Sequence, residues 1–437
     1  MSGAARPLAG HGPGQAADPP DRVAEAEAVS AVLAAARVAR VAARQLSSAP
    51  DGQLDEALRG MSAQLDRRID EVAVANEQDV RAARANGLPP AMIDRLLLDT
   101  GRVRAAASQL TALAGITPEP GMRVIRALPG GLELQEWRRP VGVIGANFEA
   151  RPNVVLDMAS QLIKSRNAGV LRTGSAAIGS AAALLDLVVG PALDRAGLPS
   201  DAVQLLRIPG RESAEALVGQ PDLIPLVILR GSGESTRSLA ARAALAGVRT
   251  LAHADGGGVL YAHEGADRKL LTSLVDQGLD RLGVCNRLNL LLVDRSIWDE
   301  VVPAVVDQLA AHDPKIAASL PPHEHALGYE WALDGDREAT VTIAPVEGEL
   351  DAAATANRET SGLAATIVTG DADAAQRFLA AYAGTGAFWN ASTRLLDGFK
   401  LLGVPETGIN IDRVPGPRGP VTFRDLYLRQ YVTVPAR

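Results

Sequence analysis

Between Pro140 and Gly247 the chain alternates unbroken apolar runs with longer segments of helical period. VGVIGAN, AGVLRT, AVQLLRI and IPLVILR are the apolar runs; NVVLDMASQLIKSRN, AAIGSAAALLDLVVGPALDRAG and ESTRSLAARAALAG are the helical segments between them. Short runs with no polar alternation suit strands covered on both faces. Strands separated by helices pair in parallel through right-handed crossovers. An all-helical bundle and an antiparallel sandwich are both excluded. A second set begins after about Leu251, with GVLYA and NLLLVD as strands around the helix DRKLLTSLVDQGLDRLG. SIWDEVVPAVVDQLAAH, LAATIVTG and DADAAQRFLAAYAG extend it. The expected class is α/β, with two doubly wound βα domains.

Before Pro140 the pattern differs. Residues 1–22 are mostly Gly, Ala and Pro and read as a disordered extension. From Val23 three helical segments follow: one carrying Val29, Val32 and Leu33, one over Leu54–Gly87, and one over Ala91–Gly115. Residues 123–139 alternate on either side of Pro129-Gly130-Gly131, the signature of a β-hairpin. A projecting hairpin leaves edges to be paired, often by another subunit. The C-terminal residues 426–434 alternate in the same way and are expected to join it.

Composition narrows the partners. The net charge is −7 with no long basic run, which argues against nucleic acid and an anionic membrane. No uninterrupted apolar stretch is expected to span a membrane, and the N-terminus lacks the apolar core of a secretory signal. With one cysteine, Cys285, no intrachain disulfide is possible, and a reducing cytoplasm is the expected compartment. The six histidines show no helical pairing, so no metal site is expected.

Several residues suit chemistry. Cys285, between a helix and a buried strand, is either a small core residue or a nucleophile with a backbone N–H near the reacting carbonyl. Asn153 opens a helix after a strand and suits either a helix cap or an oxyanion donor; Arg151 beside it suits an anionic substrate. Arg172 with Gly174 and Ser175, and Gly231, Ser232 and Gly233, make two strand-to-helix turns suited to cofactor phosphates. Arg172 is placed for a ribose 2′-phosphate. Asn390, Ser392, Thr393 and Arg394 form a polar turn after a short strand.

The segments ANEQDV, GLPPAMIDRLLL, RPVGVIGANFEARPNVVLD, KSRNAGVLRTGS, GVCN, TANRETSG and NASTRLLDG together resemble the γ-glutamyl phosphate reductase family of the aldehyde dehydrogenase superfamily. The resemblance implies an aldehyde-dehydrogenase-like architecture. Residues 23–118 with 140–250 would bind cofactor, 251–389 would carry Cys285, and 119–139 with 415–437 would form an oligomerisation element of a homo-oligomer. It implies NADPH-dependent reduction of γ-glutamyl phosphate to glutamate-5-semialdehyde in proline biosynthesis, with an upstream kinase supplying the acyl phosphate. Cys285 would form a thioester, with Asn153 and the Cys285 N–H as oxyanion donors. Arg151, Asn286, Asn390, Ser392, Thr393 and Arg394 would hold substrate. The alternatives are a paralogue acting on another acyl phosphate or thioester, or a binding subunit without turnover. Val259, Leu363 and Ala365 stand where the family has polar groups, which predicts a less polar cleft.

Overall fold

The computed structural model describes residues 19–231, 233–253, 255–413 and 416–436. Helix α1 (Pro19–Ser47) begins inside the stretch expected to be disordered, so residues 19–22 are helical; residues 1–18 lie outside the described residues. Its stripe of Ala28, Val32, Ala36, Ala39 and Leu46, spaced by three, four and seven residues, is fully buried.

The helix expected over Leu54–Gly87 is two, α2 (Asp51–Arg67) and α3 (Ile69–Ala85), parted where Arg68 leaves helical geometry at φ −110°. The next is also two, α4 (Pro90–Leu96) and α5 (Thr100–Ala114). Asn76 on α3 explains this second break. Its amide donates to Leu96 O at 2.7 Å and its carbonyl accepts from Leu98 N at 2.9 Å, replacing helical bonds, and Asp99 then caps α5.

The hairpin of β1 (Met122–Leu128) and β2 (Leu132–Pro140) turns through Gly130 and Gly131, both at positive φ. The chain then builds a five-stranded parallel sheet from β3 (Val143–Phe148), β4 (Ala168–Thr173), β5 (Val203–Leu205), β6 (Leu226–Arg230) and β7 (Arg249–His253). Its order is β5-β4-β3-β6-β7, with the direction of winding reversing between β3 and β6. In such sheets ligands bind beyond the strands' C-terminal ends at that reversal. The intervening helices are α6 (Val154–Lys164), α7 (Ile178–Leu184), α8 (Gly190–Arg195), α9 (Arg211–Leu217) and α10 (Gly233–Ala246). Helix α6 is buried all round; its Lys164 ammonium is paired with Asp55 at 2.5 Å and bonded to Ile116 O at 2.8 Å.

Contrary to expectation, the helical run Ser175–Arg195 is long and apolar enough to cross a membrane. Its Leu184, Val188, Val189 and Leu193 belong to the core shared with α2 and α6, which accounts for that apolarity.

The second sheet is also parallel. It comprises β8 (Gly258–Ala262), β9 (Leu288–Asp294), β10 (Ala317–Ser319), β11 (Thr340–Val346), β12 (Ala364–Val368) and β13 (Gly386–Trp389), in the order β10-β11-β9-β8-β12-β13. Helices α11 (Arg268–Gly278) and α12 (Trp298–Ala310) supply Leu271, Leu274, Val301 and Val305 to one core, while α13 (Gly348–Glu359) and α14 (Ala372–Ala381) supply Ala352, Ala356 and Phe378 to another.

The chain then returns. A ribbon of β14 (Gly408–Asn410) and β15 (Gly419–Val421) lies beside β7, and Val404, Val421, Phe423 and Leu426 complete the first unit's core. Only β16 (Tyr427–Pro435) joins the hairpin, pairing along β2. Two expected boundaries therefore move. β7 still belongs to the first sheet, so the chain crosses after His253, and the described residues between Pro415 and Leu426 pack with the first unit.

Candidate active site

The C-terminal edge of the first sheet faces the segments that lead into the second, and a cavity of about 440 Å³ lies between them. The loop after β3 contributes Glu149 and Arg151, the end of β6 contributes Arg230 and Gly231, and the chain leaving β7 contributes His253, Asp255 and Gly256. Facing them are Cys285, Asn286, Glu330, Arg394, Asp397 and Glu406.

Backbone and side-chain bonds fix the cysteine loop. Gly257 N donates to Cys285 O at 2.6 Å and Gly258 N to Arg287 O at 2.7 Å. These approaches require bare backbone: a Cβ on Gly258 would stand 2.5 Å from Arg287 O. Arg287 is wholly buried and donates to the carbonyls of Leu288, Glu338 and Thr340; burial lowers its pKa to about 10. On the other side Asn286 donates to Leu396 O at 3.0 Å and accepts from Arg394, while Thr393 Oγ1 donates to Asn286 O at 2.9 Å.

These bonds revise several expected roles. Cys285 is half-buried in the wall, with Arg151, Asn286 and Arg394 also in it. Arg394 is tied to Asn286 and to Asp280, at 2.7 Å from the latter, so it braces the loop. Thr393, Ser392 and Asn390 are outside the wall. Ser392 accepts from Arg394 N, and Asn390, at φ 53°, exchanges two bonds with the Thr369 backbone. Asn153 is also outside the wall, its amide directed to Asp157 at 3.3 Å, so of the two residues expected to bind the oxyanion only Cys285 lines the cavity. Val259, Leu363 and Ala365 are fully buried and absent from the wall, so their apolarity does not make the cleft apolar.

The cavity is strongly charged. Burial, then Glu406, pushes the Cys285 thiol up to about 11, while Arg151 and Arg230 pull it down. Burial, then the neighbouring Arg230 and Arg95, lowers Arg151 to about 10, so it remains a cation. Burial raises Glu330 and Glu406 to about 7 and Asp157 to about 6. Burial and the two arginines lower His253 to about 3; the neutral ring accepts from Ile409 N at 3.1 Å. Sequence reasoning missed Arg95, Arg230, His253, Glu330 and Glu406. Arg230 immediately precedes a glycine turn at a strand end, which was a usable signal; Glu330 and Glu406 lie in irregular segments with no local signature.

Of the turns expected to bind a cofactor, the first begins with Arg172, which at the end of β4 donates to Gly210 O at 2.6 Å and to Asn147 and Ser213 at 3.3 Å. Gly174 lies against Ala150, and Ser175 is exposed in the first helical turn. Gly231 lines the cavity, but Gly233 faces the Asp255 carboxylate, which is paired with Arg237 at 2.7 Å and occupies the space beside it. Ser232 lies outside the described residues.

A model of the aldehyde dehydrogenase family matches residues 17–318. The chain belongs to that family. Gamma-glutamyl phosphate reductase from Clavibacter michiganensis subsp. michiganensis is 35% identical over 404 residues, covering 90% of this chain and 92% of its own. The same-named protein from Caulobacter sp. is 34% identical over 411 residues, covering 92% and 96%. The crystal structure of gamma-glutamyl phosphate reductase from Thermotoga maritima aligns with a TM-score of 0.83 at 26% identity, covering 92% of this chain and 98% of that one. An acetylating aldehyde dehydrogenase from Geobacillus thermoglucosidasius, at TM-score 0.70 and 16% identity, shares the fold. The chain is thus an aldehyde dehydrogenase-type oxidoreductase of the gamma-glutamyl phosphate reductase group, and the family implies a nicotinamide cofactor.

The first sheet fits such a group. The Gly231 backbone is open to the cavity where the winding reverses, and a Cβ there would come within 3.2 Å of Thr236 Oγ1. The Gly174–Ser175 turn and Arg172 flank β3 on its other side.

Proposed function

We propose that this enzyme reduces γ-glutamyl phosphate to glutamate-5-semialdehyde with release of phosphate, through a thioester on Cys285, using NADPH, as a step of proline biosynthesis. The names of its relatives support the substrate. The observation that carries the chemistry is a half-buried cysteine sharing one cavity with the guanidiniums of Arg151 and Arg230.

The sulfur of Cys285 attacks the acyl carbon, the C–S bond forms, and the bond from that carbon to the phosphate oxygen breaks. Arg151 and Arg230 hold the phosphate and favour the thiolate; cations in a water-poor site act strongly on both. The Cys285 N–H supports the developing oxyanion. Glu406 and Asp397, on the wall facing the arginines, receive the substrate's α-ammonium. Bound nicotinamide cofactor supplies the hydride that converts the thioester to the aldehyde level. Gly231 and the Gly174–Ser175 turn hold its phosphates, and Arg172 selects the 2′-phosphate. An ATP-dependent kinase supplies the acyl phosphate. The exposed Leu428 and Tyr431 on β16 and Val124 on β1 support a homo-oligomer joined through the three-stranded sheet.

The reverse reaction tests this reading. Oxidation of glutamate-5-semialdehyde should require phosphate. Cys285→Ala should abolish it while NADPH still binds, read by fluorescence. Turnover persisting in Cys285→Ala would refute the mechanism.

A further inference from the structure

A thiol held near 11 is about one part in ten thousand thiolate at neutral pH, so the attack needs a proton acceptor. Most acidic or basic groups in the wall are otherwise engaged. His253 accepts from Ile409 N, and Asp255 is paired with Arg237. Glu149 faces Arg95, Asp397 caps the turn that follows it, and Glu406 accepts from Gly398 N at 2.8 Å. Glu330 forms no ion pair among the described residues and accepts from the Gly256 backbone N–H, which holds it beside the cysteine loop.

The position of Glu330 is well defined. A Cβ on Gly256 would stand 2.3 Å from Glu330 Oε1 and 2.7 Å from the Cys285 Cα, so the carboxylate lies beside the cysteine's backbone, in the wall of the cavity that Cys285 also lines. The segment is held on both sides of Glu330 by one buried side chain. Asn289 Nδ2 donates to Tyr329 O at 2.8 Å, and Trp331 N donates to Asn289 Oδ1 at 3.0 Å. Trp331 is anchored in turn by its indole N–H on Thr342 at 2.9 Å.

Resting on the reading of Cys285 as nucleophile, we propose that Glu330 accepts the Cys285 thiol proton and that Asn289 is the residue positioning it. The S–H bond breaks, an O–H bond forms on the carboxylate, and the electron pair stays on sulfur. Sulfur then bonds the acyl carbon, phosphate leaves with the electrons of the broken C–O bond, and Glu330 returns the proton to that phosphate. The carboxylate becomes neutral as the thiolate forms, so the transfer adds no net negative charge to the site. Asp255, Arg95 and Glu149 face Glu330, and Glu406, Arg151 and Arg230 face Cys285; these set the pH at which the transfer operates.

Cys285 is the sole cysteine, so its alkylation by iodoacetamide reads this step without substrate or cofactor. In the wild type the rate should rise with a midpoint near pH 7, as Glu330 ionises. E330Q should lose that rise and react roughly tenfold more slowly at pH 8. E330D should keep the rise at a lower plateau, and N289A should lower the plateau without abolishing the rise. Circular dichroism checks each fold. If E330Q fails to fold, the wild-type profile and E330D decide. A wild-type profile without the rise near pH 7 would overturn the proposal. So would an E330Q thiol as fast as or faster than wild type, the behaviour of a carboxylate that only repels the thiolate. If either is seen while Cys285→Ala abolishes turnover, this inference fails and the proposed function stands.

Discussion

Replacing Glu406 by Gln should make the protein more stable and a poorer enzyme. Burial raises the Glu406 carboxyl from its ordinary 4.5 to about 7, even with Arg230 nearby. The folded chain therefore keeps a proton that the unfolded chain releases between those values. The stabilisation this gives is complete below pH 4.5 and is lost as pH rises through 7. A tenfold change in proton affinity is worth about 1.4 kcal/mol, so the buried charge costs the fold up to roughly 3 kcal/mol at pH 8. Gln has nearly the same shape, carries no charge, and can still accept from Gly398 N. Urea titrations of both proteins from pH 4.5 to 8 should show their stability difference growing from near zero to about 2–3 kcal/mol in favour of the variant. The same variant should raise the KM for glutamate-5-semialdehyde by roughly ten- to a hundredfold, the worth of one hydrogen bond to a charged group. A stability difference independent of pH would refute the electrostatic argument. An unchanged KM would remove Glu406 from the ammonium site.

Arg172→Ala should weaken NADPH far more than NADH in fluorescence titrations, since only the former carries the 2′-phosphate; equal weakening would show that the discriminator lies elsewhere. Leu428→Lys with Tyr431→Lys, both exposed on β16, should lower the mass measured by sedimentation while the far-ultraviolet spectrum stays unchanged; an unchanged mass would place the subunit contact on another face.

The fold was legible because its strands are short apolar runs such as VGVIGAN, whose uniformity reports burial on both faces. The helix breaks were harder to read. α4 and α5 separate through a bond pair from Asn76 on α3, and periodicity carries no record of a partner some twenty residues away. The site was half legible. Cys285, Arg151 and the Gly231 turn were found from their places at strand ends. The segment from Asn390 to Arg394 was recognised as important, but its polar atoms are spent within the protein: Thr393 and Arg394 hold Asn286 of the cysteine loop, and Asn390 bonds the Thr369 backbone. Glu330 and Glu406 could not be read, because their significance comes from what distant segments bring beside them. Val259, Leu363 and Ala365 drew a false inference for the same reason: a residue type departing from a family pattern does not say which way the side chain faces.

The chain passes between its two units twice, once after β7 and once on the way back to β14. Two bodies joined by two strands have a single easy axis of relative rotation, the line through both connections. Residues on both connections line the cavity: Asp255 and Gly256 on the outgoing one, Asp397 and Glu406 on the return. Opening about that axis would widen the mouth of the cleft while these four, lying near the pivot, move least. The end of the pocket proposed to bind the ammonium would thus hold its shape as the crevice admits and releases its larger ligand. Stiffening the return segment should slow ligand exchange more than it alters the chemistry at sulfur.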